Sequence, residues 1–358
     1  MAGFAPGGLA TGIGSLPYLE PGQALPLIFS HLPQIPHWPQ LPRRGGREGF
    51  VFQFLNPLLA AGLLSIEDGR AFFDDSHPAW PERLTDFYTT YLAAEAGDEK
   101  ALQAFAFPRE AAAGFYAFLD YIRSHGTGEA HYFKGHLAGP LTIAFQLKNR
   151  AGRLAYYEEQ LRELVVKTLA MHALWQAKTL AGAGRPAIIF VDEPAVSVYG
   201  QSNYITVTRQ MIRDDLNAVF EAVRRAGALT GVHSCAAVDW SLLTGCDLDI
   251  INLDAYNFGA SLFPYARELN AFLQQGGVLA WGVVPTAEEA YCEDANSLLK
   301  RLSGYWDGLC RRGVDRGLLQ RQAIITPACG TGLLPGELAG RIYALNREVA
   351  HKVQKGEI

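Results

Sequence analysis

The residues best suited to chemistry are one histidine and two cysteines that lie at or just after the ends of predicted strands. The stretch Thr230-Gly-Val-His-Ser-Cys235 places His233 and Cys235 two residues apart, so both side chains project from one side of an extended backbone. Cys329 follows another apolar run near the C-terminus. Imidazole and thiolate are ligands that zinc prefers. Because so short a spacing is common, a buried cysteine beside a hydrogen-bonded histidine remains the ordinary alternative.

Three protein ligands with one exchangeable position are typical of a catalytic zinc site, whereas four cysteines would indicate a structural one. Asp254 comes directly after the apolar run Ile250-Ile-Asn-Leu253. It is a candidate for a fourth, oxygen ligand or for a partner that orients His233. A helix-capping role for Asp254 is about equally expected.

Two carboxylates follow the apolar stretch Ile188-Ile-Phe-Val191, where burial is costly unless they are paired or used on a ligand. Asp192 and Glu193 are therefore the candidate acids, and a turn with one carboxylate capping the next helix is the alternative. Gly14 and Ser15 lie in a glycine-containing loop whose backbone N–H groups can approach an anion. Neither a phosphate-binding loop nor a dinucleotide fingerprint is present, so nucleotide binding has no support.

These residues need a scaffold that brings strand ends together. Short β-rich runs alternate with long helical stretches such as 153–181 and 204–226, which predicts parallel strands joined by crossover helices. The predicted strands are Leu9–Gly14, Phe50–Phe54 (the weakest), His131–His136, Ala187–Val191, Leu229–His233, Ile250–Leu253, Val278–Val283 and Ala323–Thr326. Eight strands without edges marked by proline or lysine favour a closed (β/α)8 barrel, whose catalytic groups lie at the C-terminal strand ends.

The domain organisation is predicted to be a single barrel over residues 1–358, because no Gly/Ser/Pro-rich linker, charge block or repeat interrupts the pattern. Residues 68–126 have little strand character. We therefore expect a helical insertion in the N-terminal third of the barrel.

The amino-acid composition limits the kinds of molecule that the protein is expected to bind. The 358 residues are 49% hydrophobic and carry a net charge of −5, which leaves no basic excess for nucleic acid. No run of eighteen apolar residues and no N-terminal signal segment occurs, so no membrane partner and a cytoplasmic location are expected. Five cysteines scattered over so long a chain disfavour a disulfide framework and leave Cys235 and Cys329 free as ligands.

Taken together, five segments resemble the catalytic domain of cobalamin-independent methionine synthase, in the family's order across nearly the whole chain. Its superfamily also includes uroporphyrinogen decarboxylase and corrinoid-dependent thiol methyltransferases. The segments are Ile13-Gly-Ser-Leu-Pro17, Gly139-Pro-Leu-Thr142, Asp192-Glu-Pro194, His233-Ser-Cys235 with Asp254, and Pro327-Ala-Cys-Gly330.

The resemblance implies a zinc site of His233, Cys235 and Cys329, with Asp254 where the synthases have a glutamate ligand. A small-molecule thiol, similar to homocysteine, would join the zinc, lose its proton and attack a methyl group carried by a folate or a corrinoid.

The same resemblance implies how the substrate is held. Ser15 and Gly14 would lie near the substrate carboxylate and Asp192 near its amino group. Gln40 stands where the synthases have a glutamate that binds this amino group, and an uncharged partner binds ammonium less well.

Two further departures concern the proton donor and the methyl donor. The loop after Gly282 lacks the histidine that the synthases have there, which leaves Glu288 or Glu289 as substitutes. The N-terminal half that helps the full-length synthases to bind folate has no counterpart, so a corrinoid protein is a reasonable donor.

Two other functions remain open on the sequence. A metal-free decarboxylase of the uroporphyrinogen type would need arginines to clamp substrate carboxylates, and Arg43, Arg44 and Arg47 could form such a cluster. A metal-free decarboxylase would not use His233, Cys235 and Cys329. A barrel that binds a thiol or a corrinoid without catalysis is the other alternative.

Overall fold

A computed structural model describes residues 4–358 of the chain. Residues 1–3, part of the N-terminal stretch in which no signal segment is predicted, lie outside the description. The strands are β1 (Leu9–Ala10), β2 (Leu64–Glu67), β3 (Arg70–Phe73), β4 (Phe133–Ala138), β5 (Ala187–Asp192), β6 (Leu229–Ser234), β7 (Ile250–Leu253), β8 (Val278–Val284) and β9 (Ala323–Pro327). The α-helices are α1 (Pro21–His31), α2 (Asn56–Ala60), α3 (Trp80–Glu95), α4 (Glu99–Leu102), α5 (Ala113–His125), α6 (Pro140–Gln146), α7 (Glu159–Ala181), α8 (Arg209–Arg225), α9 (Trp240–Leu243), α10 (Ala255–Phe258), α11 (Ala266–Gln274), α12 (Ala295–Cys310), α13 (Arg316–Arg321) and α14 (Gly336–Gln354).

The predicted α/β class with parallel strands is confirmed. Seven strands form one curled parallel sheet in the order β1-β9-β8-β7-β6-β5-β4. Strand β5 reads Ala-Ile-Ile-Phe-Val-Asp and is buried along its whole length, as expected for a parallel strand covered on both faces. Helix α8 buries one apolar stripe that includes Ile212, Leu216, Val219 and Val223, which packs it as an outer layer.

Among the described residues the main sheet has seven strands and not the predicted eight. The weakest strand prediction, Phe50–Phe54, is wrong, because Phe52–Leu55 forms a 3₁₀ helix. An extended segment, residues 34–40, lies instead between β1 and β4 and bonds to the neighbourhood of each: Trp38 N–H donates to the Lys134 carbonyl and Gln40 N–H to the Gly14 carbonyl. Prolines at positions 36 and 39 lack the N–H that a regular ladder needs.

The insertion differs in one respect from the helical prediction. Helices α3, α4 and α5 lie within residues 68–126, but the antiparallel hairpin of β2 and β3 enters the same region. Its turn is Asp68-Gly69, and both residues have positive φ angles of 48° and 74°. Asp-Gly is a preferred pair for a two-residue hairpin turn, so the sequence did contain this signal.

The core is divided into two parts. A large cluster lies between the sheet and its helices, and a smaller apolar cluster that includes Ile188, Phe190, Ile250, Val278 and Ile324 belongs to the strands themselves. Further along the same strands come Asp192 on β5 and Asn252 on β7. The polar side chains therefore gather at the C-terminal ends of the strands. Within residues 4–358, no helix combines the length and apolar character needed to cross a membrane.

Candidate metal centre

Three predicted ligands meet at the C-terminal edge of the sheet. His233 is the penultimate residue of β6, Cys235 follows that strand, and Cys329 follows β9. Strands β7 and β8 separate β6 from β9, so it is the curl of the sheet that brings the two ends together. One nitrogen of His233 and the two sulfur atoms all lie within 4.8 Å of one another.

The imidazole of His233 is held in one orientation by Asn252. The Asn252 side-chain N–H₂ donates to the Ala280 carbonyl and to Thr326 Oγ1, each at 2.8 Å. Its oxygen is therefore the atom that faces His233, and His233 Nδ1–H donates to it. This hydrogen bond leaves the lone pair on Nε2, which is buried and has no protein partner. A second hydrogen bond that fixes the tautomer in this way is characteristic of metal-binding histidines.

The donor set fits zinc. One imidazole nitrogen and two sulfurs are ligands of the type found at zinc sites. Ligand atoms of a tetrahedral zinc ion are about 3.7 Å apart, and the three atoms here lie within 4.8 Å of one another. The unpartnered Nε2 of His233 would cost free energy if nothing bound to it. The residues present therefore fit a three-ligand zinc site with one open position.

The two sulfur atoms are electrostatically coupled. The proximity of Cys329 and of His233 lowers the pKa of the Cys235 thiol to about 4. The proximity of Cys235, together with burial, raises the pKa of the Cys329 thiol. A readily formed thiolate at Cys235 favours a bound cation.

A pocket of about 440 Å³ opens beside the three ligands. Its lining is mostly apolar and contains Ser15, Gln40 and Asp192 but no lysine or arginine side chain. Ser15 Oγ accepts a hydrogen bond from the Gly332 N–H at 3.1 Å, which ties the first strand loop to the loop that carries Cys329. At Gly14 an added Cβ would lie 2.5 Å from the His136 ring. Only glycine allows this approach.

Asp192 lies at the end of β5 and lines the pocket. It is 5% exposed, and its Oδ1 has no hydrogen-bond partner among the described residues. Burial raises the pKa of Asp192 to about 6, although interactions with His233 and Lys134 act in the opposite direction. An unsatisfied carboxylate oxygen in a pocket is a candidate acceptor for a substrate N–H group.

Glu193, predicted as a candidate catalytic acid, is buried and is not among the residues that line the pocket. Its carboxylate accepts hydrogen bonds from the Leu141 and Thr142 N–H groups at 2.8 Å, and from the Thr142 hydroxyl. These N–H groups lie in the first turn of α6, where they have no partner within the helix. The capping alternative is the one that the structure shows, and it involves α6 and not the helical turn that follows Glu193.

Asp254 is also placed as a capping residue and not with the three ligands. Its two oxygens accept from the N–H and the side-chain N–H₂ of Asn257, at 2.9 and 2.8 Å, at the start of α10. The cluster of closely spaced ligand atoms contains His233, Cys235 and Cys329 without Asp254. The alternative of a helix cap therefore describes this residue.

Gln40 presents an acceptor to the pocket because its amide is fixed by a relay. The Gln53 side-chain N–H₂ donates to the Ala111 carbonyl at 2.6 Å, so Gln53 Oε1 must accept from the Gln40 N–H₂ at 2.8 Å. The side-chain oxygen of Gln40 is therefore the atom that remains available as an acceptor in the pocket. Gln53, which orients it, was not recognised in the sequence, since it lies in the segment wrongly predicted as a strand.

The charged residues of the other hypotheses are not among the residues that line the pocket. Glu288 and Glu289 are exposed and do not line the pocket. Arg43 donates to the Leu333 and Leu334 carbonyls, and Arg44 forms an ion pair with Glu48 at 2.7 Å. Arg47 is 70% exposed and lies 3.8 Å from Glu110.

Two buried polar residues near the site were missed by the sequence analysis. Asn252 stands inside the apolar run of β7, and Lys134 stands inside β4. A polar residue inside a buried strand was the available signal, because such a residue needs a specific partner.

No family profile and no curated protein sequence matches this chain. Among solved structures, a B12-independent methionine synthase from Shewanella sp. W3-18-1, in complex with selenomethionine, is 18% identical with a TM-score of 0.48, over 68% of this chain and 67% of that one. A putative vitamin-B12 independent methionine synthase from Listeria monocytogenes is 13% identical with a TM-score of 0.46, over 68% and 69%. A GH5-4 broad specificity endoglucanase from Clostridium acetobutylicum is 10% identical with a TM-score of 0.38, over 71% and 79%. At these values the similarities assign the chain to no family.

Proposed function

We propose that this protein is a zinc-dependent methyltransferase that methylates a small-molecule thiol similar to homocysteine. The observation that carries the proposal is the cluster of His233, Cys235 and Cys329, whose ligand atoms lie within 4.8 Å of one another. The lone pair of His233 is fixed by Asn252, and a pocket lies beside the cluster. Three ligands and an adjoining pocket are the arrangement of a catalytic zinc site.

When bound, zinc would lower the pKa of a coordinated thiol so that the sulfur is a nucleophilic thiolate at neutral pH. The residues of the chain position the rest of the substrate. The free oxygens of Asp192 and Gln40 accept N–H donors and so suit a substrate ammonium group. The pocket excludes bulk water around the sulfur and aligns it for attack, which is the main requirement of a methyl transfer.

The methyl donor must approach from the open side of the pocket. That side is bordered by the apolar residues Pro42, Phe50, Pro194, Leu333 and Leu334, and Leu333 is 81% exposed. An exposed apolar rim suits a donor with a large face. We propose a folate or a corrinoid protein as the donor, and turnover with each separates the two.

The observed arginines disfavour the decarboxylase alternative. Arg43 and Arg44 are committed to carbonyl and carboxylate partners of the protein itself. A clamp for several substrate carboxylates needs free guanidinium groups that face the pocket. Binding without catalysis would show zinc and thiol affinity but no methyl transfer.

The first experiment is a zinc measurement on protein reconstituted under reducing conditions. We expect about one zinc per chain in the wild type and its loss in Cys329→Ala and His233→Ala. Cys310→Ala is the matched control, because Cys310 is also a half-buried free cysteine but lies at the end of α12. Thiol methylation is then assayed with methylcobalamin and with a methylated folate. A wild type without zinc would end the proposal.

A further inference from the structure

The segment that carries Cys329 is fixed to its surroundings at two points. Before Cys329, the Ala328 N–H donates to the Val284 carbonyl at 2.8 Å, which ties the residue after β9 to the end of β8. After Cys329, the N–H and the hydroxyl of Thr331 both donate to the Ser15 carbonyl, each at 3.0 Å. Cys329 lies between these two anchors, so the position of its sulfur depends on both.

Thr331 is buried, yet it is neither one of the three ligands nor part of the pocket lining. It is 1% exposed, and a buried hydroxyl costs free energy unless it is hydrogen-bonded. Its neighbour Gly332 approaches Ser15 so closely that an added Cβ would lie 2.8 Å from the Ser15 Cβ. The other hydrogen bonds of this contact come from backbone N–H groups, which many residue types could supply. The hydroxyl bond to the Ser15 carbonyl is the part that requires threonine or serine.

The three ligands differ in how firmly the sheet holds them. His233 lies within β6 and Cys235 follows it directly. Cys329 lies two residues beyond the end of β9 and so depends on the contacts of its loop. A site binds its metal most tightly when the ligands are already in place, because a population with a misplaced ligand lowers the apparent affinity.

We propose that Thr331 is a positioning residue for Cys329. By binding the Ser15 carbonyl, its hydroxyl holds the loop so that the Cys329 sulfur faces the other two ligands before a metal arrives. This rests on the proposed function, because it concerns the zinc site on which that function depends. Thr331 acts through Cys329 and contacts neither the metal nor the substrate. Since Ser15 lines the pocket, the same bonds hold a metal ligand and the pocket wall in one arrangement.

Thr331→Val tests the proposal, because valine has nearly the same shape and lacks the hydroxyl. In the metal-free variant the loop has lost one hydrogen bond and occupies other positions, so zinc must reorder it on binding. The dissociation constant for zinc, measured by competition with a chelator, should rise roughly three- to tenfold, the equivalent of one hydrogen bond. Thr331→Ser keeps the hydroxyl and should stay within about twofold of the wild type.

Thr11→Val is the matched control. Thr11 is also 1% exposed, and its hydroxyl donates to the Ile35 carbonyl at 2.9 Å, but neither residue lines the pocket. This variant should lose stability in urea as Thr331→Val does and keep the zinc affinity of the wild type. The proposal is overturned if Thr331→Val binds zinc as tightly as the wild type, or if Thr11→Val weakens zinc binding equally.

Alkylation of Cys329 in the metal-free protein gives a second readout that needs no zinc. Iodoacetamide is added in the presence of a chelator, and the modified peptides are quantified by mass spectrometry, with the half-buried Cys310 as internal reference. The looser loop of Thr331→Val should raise the rate at Cys329 relative to Cys310, whereas Thr11→Val should not. Equal rates in the wild type and Thr331→Val would contradict the proposal. If the wild type binds no zinc, the proposed function fails, and these rates still decide whether Thr331 positions Cys329.

Discussion

Asn252 offers the sharpest test of the metal centre, because it combines two roles that different substitutions separate. Its oxygen accepts the Nδ1–H of His233, and its N–H₂ donates to Ala280 and Thr326. Asn252→Ala removes both roles. Asn252→Asp keeps the acceptor for His233 but loses the two donors.

The expected magnitudes follow from these contacts. Loss of the partner that orients a metal-binding histidine lowers metal affinity about 10- to 100-fold, which corresponds to about 1.4–2.8 kcal/mol. Asn252→Ala should show this loss, whereas Asn252→Asp should stay within a few-fold of the wild type. Both variants should lose about 2–4 kcal/mol of stability in the metal-free form, since Asn252 is fully buried and its donor bonds are lost.

Zinc affinity is measured by competition with a chromogenic chelator, and stability by urea unfolding with excess chelator. The reasoning is refuted if Asn252→Ala binds zinc as tightly as the wild type. It is also refuted if both variants lose the same affinity, because the acceptor oxygen would then have no special role.

Other residues give further expectations. Glu193→Gln should lower the free energy of unfolding by about 1–3 kcal/mol in urea and leave the zinc content unchanged, because one acceptor for the first turn of α6 is lost. Gln40→Glu should lower the dissociation constant for an ammonium-bearing thiol, since a charged acceptor binds ammonium more strongly than an amide, and an unchanged constant in calorimetry would count against Gln40 as a contact. Burial raises the pKa of Asp215 to about 7, although Arg162 at 3.7 Å acts in the opposite direction. The folded state therefore binds this proton more tightly than the unfolded state does. The contribution of protonated Asp215 to stability is lost as the pH rises from about 4 to about 7. Asp215→Asn should therefore be more stable than the wild type at pH 8 and differ less at pH 4.5, and a pH-independent difference in melting temperature would contradict this.

Much of the fold was predictable from apolar runs. The predicted ranges for β5, β6 and β8 begin at the observed residues and end one residue before the observed strands do. These strands were predictable because buried parallel strands are nearly continuous runs of apolar and β-branched residues. The segment over residues 34–40 was not predicted, since its two prolines disrupt the strand pattern. Only its contacts with β4 and with the loop after β1, which are distant in sequence, reveal its place in the sheet.

The site was predictable in part, for a related reason. His233, Cys235 and Cys329 have distinctive side-chain chemistry and lie at or just after the ends of strands, so the predicted topology was enough to suggest that they meet. Glu193 and Asp254 each accept hydrogen bonds from the first turn of a nearby helix, so their roles depended on which helix begins close to each carboxylate. Glu193 caps a helix that precedes it by some fifty positions, and no pattern in the sequence specifies such a partner.

The pairing of β1 with β9 has a consequence for how the protein is made. The first strand of the sheet lies beside the last, and Gln354, the final residue of α14, donates a hydrogen bond to Gly8 at 3.1 Å. Cys329 and the loop that contacts Ser15 also come from this last part of the chain. During synthesis β1 therefore cannot pair with β9 until residues 323–327 have left the ribosome, and contacts of such high sequence separation form slowly. The proposed metal site needs Cys329 as well as His233 and Cys235, so it can be completed only after the chain has been synthesised through residue 329.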